Sequence, residues 1–473
     1  VPTVWPAREV LQGLVDPMSY LTRSGEHTTP PLNSEMALKS GRGLHGAHIT
    51  RSTRDICIEV ELHHGHPYIR SLIVYSEPPI MSGANLLRPA SSWQLTPPGV
   101  NAVVGSLAGL VLAALALGVW TQPDGHWRLA ALVLVGAGIG AALLRTSFGF
   151  AGAFRSLVQD RDAAGFQAHA AMLALASVLM LPMLAAGSVF GQAMHGEATP
   201  VGIGFAVGAL LFGAGMQVGG GCASGTLFAL GGGNGKLIGT VVGFVFGSAL
   251  GAWSMGFWWS LPSLPGANLQ GLIGFGPAIA VQLGVIGLLF LAARRGSKTR
   301  LSRTLLIGGI ALALLNAATM LLAGKPWGET SAFALWGSQI FTAAGIDAHG
   351  WAYWMRPGFT RQLDGRLSLD ITSLMDAAIL LGAALAAALA GSFKPRWGGG
   401  VRPWSGALIG GIAMGFGARL ANGCNIGAYF SAIAVGNLSG WAWVILALAG
   451  SWIGIKLRPF FALDGKQTDG PVC

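Results

Sequence analysis

The apolar positions of this chain fall into two regimes. From residue 99 onward they run in blocks of about 20, the length that crosses a bilayer core as a helix, divided by short polar breaks. Ten spans are expected, at 99–119, 128–144, 168–190, 201–218, 236–258, 272–293, 303–323, 373–391, 403–420 and 438–458. Residues 1–95 show no such block. They have weak strand character at Ile56–Leu62 and Tyr68–Tyr75 and hold six of the ten histidines. This stretch reads as a poorly ordered extension, or as upstream sequence brought in by an early start, with Met81 near the true one, ahead of the alternative of a small folded domain. The transporter-like body is expected at 96–460 and a short cytoplasmic tail at 461–473.

Composition supports the membrane reading. Only 10% of residues are charged and 52% are hydrophobic, whereas soluble chains carry about a quarter charged residues. The 16 tryptophans suit membrane interfaces, where Trp336, Trp351 and Trp354 are expected as anchors. The net charge of +10 does not point to nucleic acid, because Lys and Arg collect between spans. Arg294, Arg295, Lys298, Arg300 and Arg303 mark the loop after the sixth span as cytoplasmic. Counting outward, the breaks near 145–167 and 392–402 fall on the same side, as do both termini. The segment 324–372 is expected as a long outer loop, although it carries Lys325, Arg356, Arg361 and Arg366. The resulting fold class is an all-α polytopic membrane protein with both termini cytoplasmic.

An internal repeat adds chemistry. Phe212–Gly225 reads FGAGMQVGGGCASG, and Met414–Gly427 reads MGFGARLANGCNIG. Gly213, Gly215, Gly221, Cys222 and Gly225 match Gly415, Gly417, Gly423, Cys424 and Gly427 without a gap. A weaker pair lies upstream, where Thr146–Ser147 and Thr330–Ser331 each precede an aromatic, small-residue stretch. The repeats, 128–258 and 303–458, begin at the second and seventh spans. Equivalent helices are thus an odd number of crossings apart and run in opposite directions, the inverted-repeat arrangement of secondary transporters.

Gly-Cys segments inside apolar spans are expected as re-entrant breaks. Irregular backbone survives in a membrane only when buried in protein or lining a wet cavity. A broken helix leaves free N–H groups that attract an anion. Helix starts are expected near Ser224–Thr226 and Asn425–Ala428. A thiol adds a weak donor and a polarisable surface, which suits a soft, sulfur-bearing anion. The alternative is that each cysteine only fills space. The candidate pathway residues are Cys222, Cys424, Gly221, Gly423, Ser224, Asn425, Thr146, Ser147, Gln217 and Arg419. Gln217 and Arg419 each stand five residues before a cysteine and are expected to orient the breaks. Arg155 reads as an arginine at the headgroups, and Asn234 and Asn437 as helix N-caps.

The motifs GGGCASGTLFALGGGN and NGCNIGAYFSAIAVGN, with TSFGFAGAFRSLVQDRD at 146–162, resemble the YeeE/YedE family of bacterial sulfur-transport membrane proteins. The resemblance covers residues 100–460. It implies an inner-membrane transporter, thiosulfate as substrate, and Cys222 and Cys424 as relay thiols. Many members carry a further cysteine where this chain has Phe148, Gly149 and Phe150, so a three-thiol relay is not available here. Selenium compounds are a second substrate class that the resemblance implies. A cytoplasmic TusA-like sulfur-carrier protein is an implied partner, and no Cys-Pro motif fuses it to this chain.

No catalytic residue, cofactor or metal is expected. Cys57, Cys222, Cys424 and Cys473 show no CxxC spacing, and no P-loop pattern offers direct ATP driving. Two other functions stay open. One is a membrane sulfurtransferase with a persulfide on Cys222, and the other is a scaffold with structural cysteines.

Overall fold

The computed structural model describes residues 98–122, 127–398 and 400–463, together with the backbone of five strands between residues 5 and 76. The chain divides into two units, Val1–Trp93 and Gln94–Cys473. In the first, β1 (Trp5–Pro6) lies parallel to β2 (Glu35–Ser40). Strands β3 (Gly43–Arg51), β4 (Asp55–Glu61) and β5 (Ser71–Ser76) continue the sheet antiparallel, in sequence order. The two segments expected to be extended correspond to β4 and β5. The expected tail at 461–473 lies almost wholly outside the described residues.

The second unit is helical. Its helices are α1 (Pro98–Thr121), α2 (Trp127–Thr146), α3 (Phe150–Arg155), α4 (Ala164–Ala186), α5 (Ile203–Val218), α6 (Ala223–Gly231) and α7 (Ile238–Trp259). They continue as α8 (Phe275–Arg295), α9 (Arg303–Ala323), α10 (Thr330–Ala343), α11 (Ile371–Leu389), α12 (Val401–Leu420) and α13 (Ser439–Leu457). Among the described residues nine helical stretches are long and apolar enough to cross a membrane, with α5 and α6 counted as one. α12 is less apolar because it carries Arg402 and Arg419, yet its 20 residues reach about 30 Å at 1.5 Å per residue. The chain is an all-α polytopic membrane protein.

Contacts between helices obey a pseudo-two-fold relation. α12 packs on α7 as α5 packs on α13, α2 packs on α11 as α9 packs on α4, and α1 packs on α11 as α8 packs on α4. The α5–α12 crossing maps onto itself. Equivalent long helices are five apart in sequence, as the repeat requires. α1 and α8 are the outlying pair, with Leu107, Leu110 and Leu117 on one and Leu288 and Leu291 on the other exposed, as lipid-facing side chains are.

Glycine explains how closely these helices approach. A Cβ added at Gly415 would run into the carbonyl oxygen of Phe244 on α7, and one at Gly213 into that of Ala447 on α13. Gly140 meets α11 in the same way, at the carbonyl of Ile379. Small residues at such crossings let backbones touch where lipid offers no hydrophobic drive for association.

The segment 324–372 is not a loop. It contains α10, whose 14 residues are too few to span, and a short helix at Phe359–Asp364. Trp351 and Trp354 are buried here, and Trp354 donates to Ser338 Oγ at 2.8 Å, so they pack the fold instead of anchoring at an interface. Trp336 likewise donates to Ser373 Oγ at 2.8 Å.

The segment is closed by His349, whose Nδ1 lies 2.6 Å from Asp347 Oδ1 and whose Nε2 lies 2.7 Å from Asp364 Oδ1. Only a protonated ring donates from both nitrogens. The carboxylates of Asp364 and then Asp347 therefore raise the His349 pKa above its ordinary value. Stabilisation by this clamp is full below about pH 6.5, the unfolded value, and is lost as pH rises through the raised folded value. Amide protection across residues 345–365, measured relative to the intrinsic exchange rate at each pH, is expected to be higher at about pH 6 than at about pH 8. The difference should vanish in His349→Ala, and a native protein with no such difference would remove the clamp.

Candidate functional site

The two Gly-Cys segments interrupt equivalent helices. After α5 the chain turns through Gly220, at φ +86°, and after α12 through Asn422 and Gly423, at φ +55° and +145°. A side chain is strained at such angles, which suits glycine at the break. Both cysteines then cap the helix that follows. The Cys222 sulfur accepts from the Gly225 N–H at 3.4 Å, at the start of α6. The Cys424 sulfur accepts from the Ile426 N–H at 3.3 Å, at the start of a π-helical turn over Asn425–Ser431. N-caps are usually oxygen-bearing side chains. Here sulfur stands at the positive end of each half-helix.

Each break is tied to a second helix start. Gln217 Nε2 donates to the carbonyl of Ala151 in the first turn of α3, at 3.2 Å. Arg419 Nη2 donates to Thr330 Oγ1, the first residue of α10, at 2.9 Å, and its Nη1 donates to the Tyr353 hydroxyl. The two residues placed five before each cysteine thus hold equivalent helices against the breaks. Arg458, just past α13, adds a bond of 2.8 Å to the carbonyl of Gln217.

The polar interior around the cysteines is compact. Cys222 Sγ lies 3.4 Å from Ser224 Oγ, and both residues are buried. Cys424 Sγ lies 3.8 Å from Glu329 Oε2, at the N-cap of α10. Asn425 is fully buried, with neither amide atom bonded to protein. Among the described residues no three His, Cys, Asp or Glu side chains gather as a metal site requires.

Thr146 and Ser147 stand apart from this arrangement. Thr146 ends α2 and its hydroxyl donates back to Ala142 at 2.7 Å, while Ser147 turns the chain at φ +49°. Thr330, their sequence partner, begins α10 instead. The structural counterpart of Glu329 is Gly149, the N-cap of α3. Beyond it Phe148 and Phe150 bury His169, with ring centroids at 5.3 and 4.8 Å. Asn437 accepts from Ser439 N at 3.1 Å, as a cap does, whereas Asn234 makes no cap bond. Glu329 and Asp376 were not anticipated. Asp376 had a legible signal, a lone carboxylate inside an apolar span.

A family model described as sulphur transport matches residues 145–453, which hold both breaks and both ties. The chain belongs to the sulphur transport family. It is 29% identical over 344 residues to a thiosulfate transporter, TsuA, of Spirochaeta thermophila, covering 68% of this chain and 96% of that one. It is 33% identical over 160 residues to a probable transporter, YedE, of Escherichia coli, covering 33% of this chain. That match spans 39% of the relative's own length. A probable transporter YedE of Salmonella typhimurium matches to the same extent. The family boundary at residue 145 leaves out the first strands, α1 and all but the end of α2, so the shared part is most of the helical repeat.

Proposed function

We propose that this sulphur transport family member carries a small sulfur-containing anion, thiosulfate in the first place, across a bacterial inner membrane. Residues 96–460 form the transporter body, and repeats 128–258 and 303–458 meet around the path. Both termini lie in the cytoplasm, on the side of the basic loops. The observation that carries the reading is the pair of thiols at equivalent half-helix N-termini. An arriving anion meets S–H donors and the N–H groups of two helix starts together. The buried guanidinium of Arg419 adds positive charge near the second thiol. Thiosulfate is taken from the name of the spirochaete relative. The partner implied on the cytoplasmic side is a TusA-like sulfur carrier.

The sulfurtransferase alternative needs an activated thiolate beside a cation. Neither thiol has a basic side chain hydrogen-bonded to it among the described residues, and the partner of Cys424 is a carboxyl group. Transport is therefore the better supported reading.

The test is uptake of radiolabelled thiosulfate in cells lacking their own sulfate and thiosulfate importers. The native chain should take it up. Cys222→Ala and Cys424→Ala should each lower the rate at least about tenfold, the equivalent of one hydrogen bond of about 1.4 kcal/mol. Uptake that survives both substitutions at normal membrane levels makes the cysteines packing residues. A native chain without uptake sends the search to other sulfur or selenium anions.

A further inference from the structure

Two acidic side chains lie deep in the helical unit without the partners that buried charges need. Glu329 is 0% exposed, its Oε1 has no protein partner, and its Oε2 receives only the Cys424 thiol. Asp376 is 1% exposed and neither carboxyl oxygen has a partner. The two come from different elements that are bonded to each other close by. Ser331, two residues past Glu329, donates to Thr372 Oγ1 at 2.9 Å, and Asp376 follows Thr372 by one helical turn.

The surrounding charges do not neutralise them. At the N-cap of α11 the other acid is Asp370, occupied with Ser373 N and Gln362 Nε2, each at 2.8 Å. On α12 the guanidinium of Arg419 is turned to Thr330 and Tyr353. Arg361 and Asp364 lie on the short helix beside α10; on α2, Arg145 is at the exposed far end and Arg128 donates to Gln192 and to the carbonyl of Phe190. Helices α1, α6 and α7, which also pack here, carry no charged residue. Among the described residues, the titratable side chain hydrogen-bonded to this pair is the Cys424 thiol.

An isolated buried carboxylate costs several kcal/mol, and such groups take up a proton instead. A carboxyl held neutral can donate a hydrogen bond as well as accept one. We propose that Glu329 and Asp376 form a proton-binding site that couples movement of the anion to movement of protons. This rests on the transport reading above. In the protonated state the two O–H groups, with the Cys424 thiol, offer donors to an entering dianion. When the protons leave to the water on the side of lower proton concentration, the two carboxylates repel the anion and it leaves on that side. The next pair of protons arrives from the side of higher concentration. Two protons moving with a dianion carry no net charge.

Infrared spectroscopy and flux on the purified full chain in lipid vesicles test this separately. The native protein should show the carbonyl stretch of protonated carboxyl groups at neutral pH, shifted in D2O. Glu329→Gln and Asp376→Asn should each remove part of it, and a native spectrum without it overturns the proposal. In the flux arm, thiosulfate counterflow reports anion passage, and accumulation under an acid-outside gradient reports coupling. The ratio of accumulation to counterflow should fall at least tenfold in both variants, and Asp376→Glu, which keeps a carboxyl group, should retain it. Counterflow with no gradient-driven accumulation in the native protein overturns the coupling and leaves the anion reading intact. A protonated-carboxyl spectrum without any counterflow overturns the thiosulfate reading, while the proton site stands on its own signal.

Discussion

Gly415→Val is expected to leave almost no folded protein in the membrane. The new Cβ would be driven into the carbonyl oxygen of Phe244, and α7 cannot yield locally because its backbone is the obstacle. Overpacking a well-filled core costs about 1–3 kcal/mol when side chains can give way, and more when backbones must part. The neighbouring contacts Gly243–Leu408 and Gly247–Ile412 lie on the same seam, so separating the helices loses these too. Gly213→Val should fail alike, because it meets Ala447 in the symmetry-related seam. Gly287→Val on α8 is the control, since nothing lies within 4 Å of a Cβ there. The measurement is the monodisperse fraction by size-exclusion chromatography in mild detergent. Equal recovery of Gly415→Val and Gly287→Val would refute this account of the packing.

Arg419→Gln should leave a folded protein that takes up its anion about a hundredfold more slowly. The substitution gives repeat B the residue that repeat A has at the same place, Gln217. It removes a fork that holds Thr330 and Tyr353 together. Hydrogen bonds from charged groups contribute about 1.5–3 kcal/mol each, so losing two is about 3 kcal/mol, two decades in rate. Arg419→Lys keeps the charge but not the planar fork and should fall between the two. The folded fraction should hold, because a buried guanidinium without a carboxylate partner costs desolvation that glutamine does not. Native uptake by Arg419→Gln would show that neither the charge nor the fork is used.

The long helices were legible because burial against lipid and protein together demands unbroken apolar runs. The breaks at Cys222 and Cys424 were legible because the same Gly-Cys pattern occurs twice. α10 was not. Its Thr330, Ser331, Ser338 and Gln339 bond to other parts of the protein, so a buried element looks polar and loop-like in sequence. Glu329 was hidden by the same misreading, as it stood in an apparent outer loop. The tryptophans of that segment were assigned to an interface for want of the helices that bury them. The Thr146–Ser147 and Thr330–Ser331 match was real as letters but not as structure, since one pair closes a helix and the other opens one.

The way the repeats share their contacts also bears on how the chain is made. The broadest seams, α7 with α12, α2 with α11, α5 with α13 and α5 with α12, each join one repeat to the other. During synthesis the first repeat enters the bilayer before any of its seam partners exist. Its glycine-lined faces must wait in lipid, unpaired, until the second repeat arrives. Neither half is a folding unit, and the division visible in the sequence is not a division at which the protein can be cut into working parts. Two half-chains made together in one membrane would supply all the seams at once, whereas either half alone would be a substrate for membrane quality control.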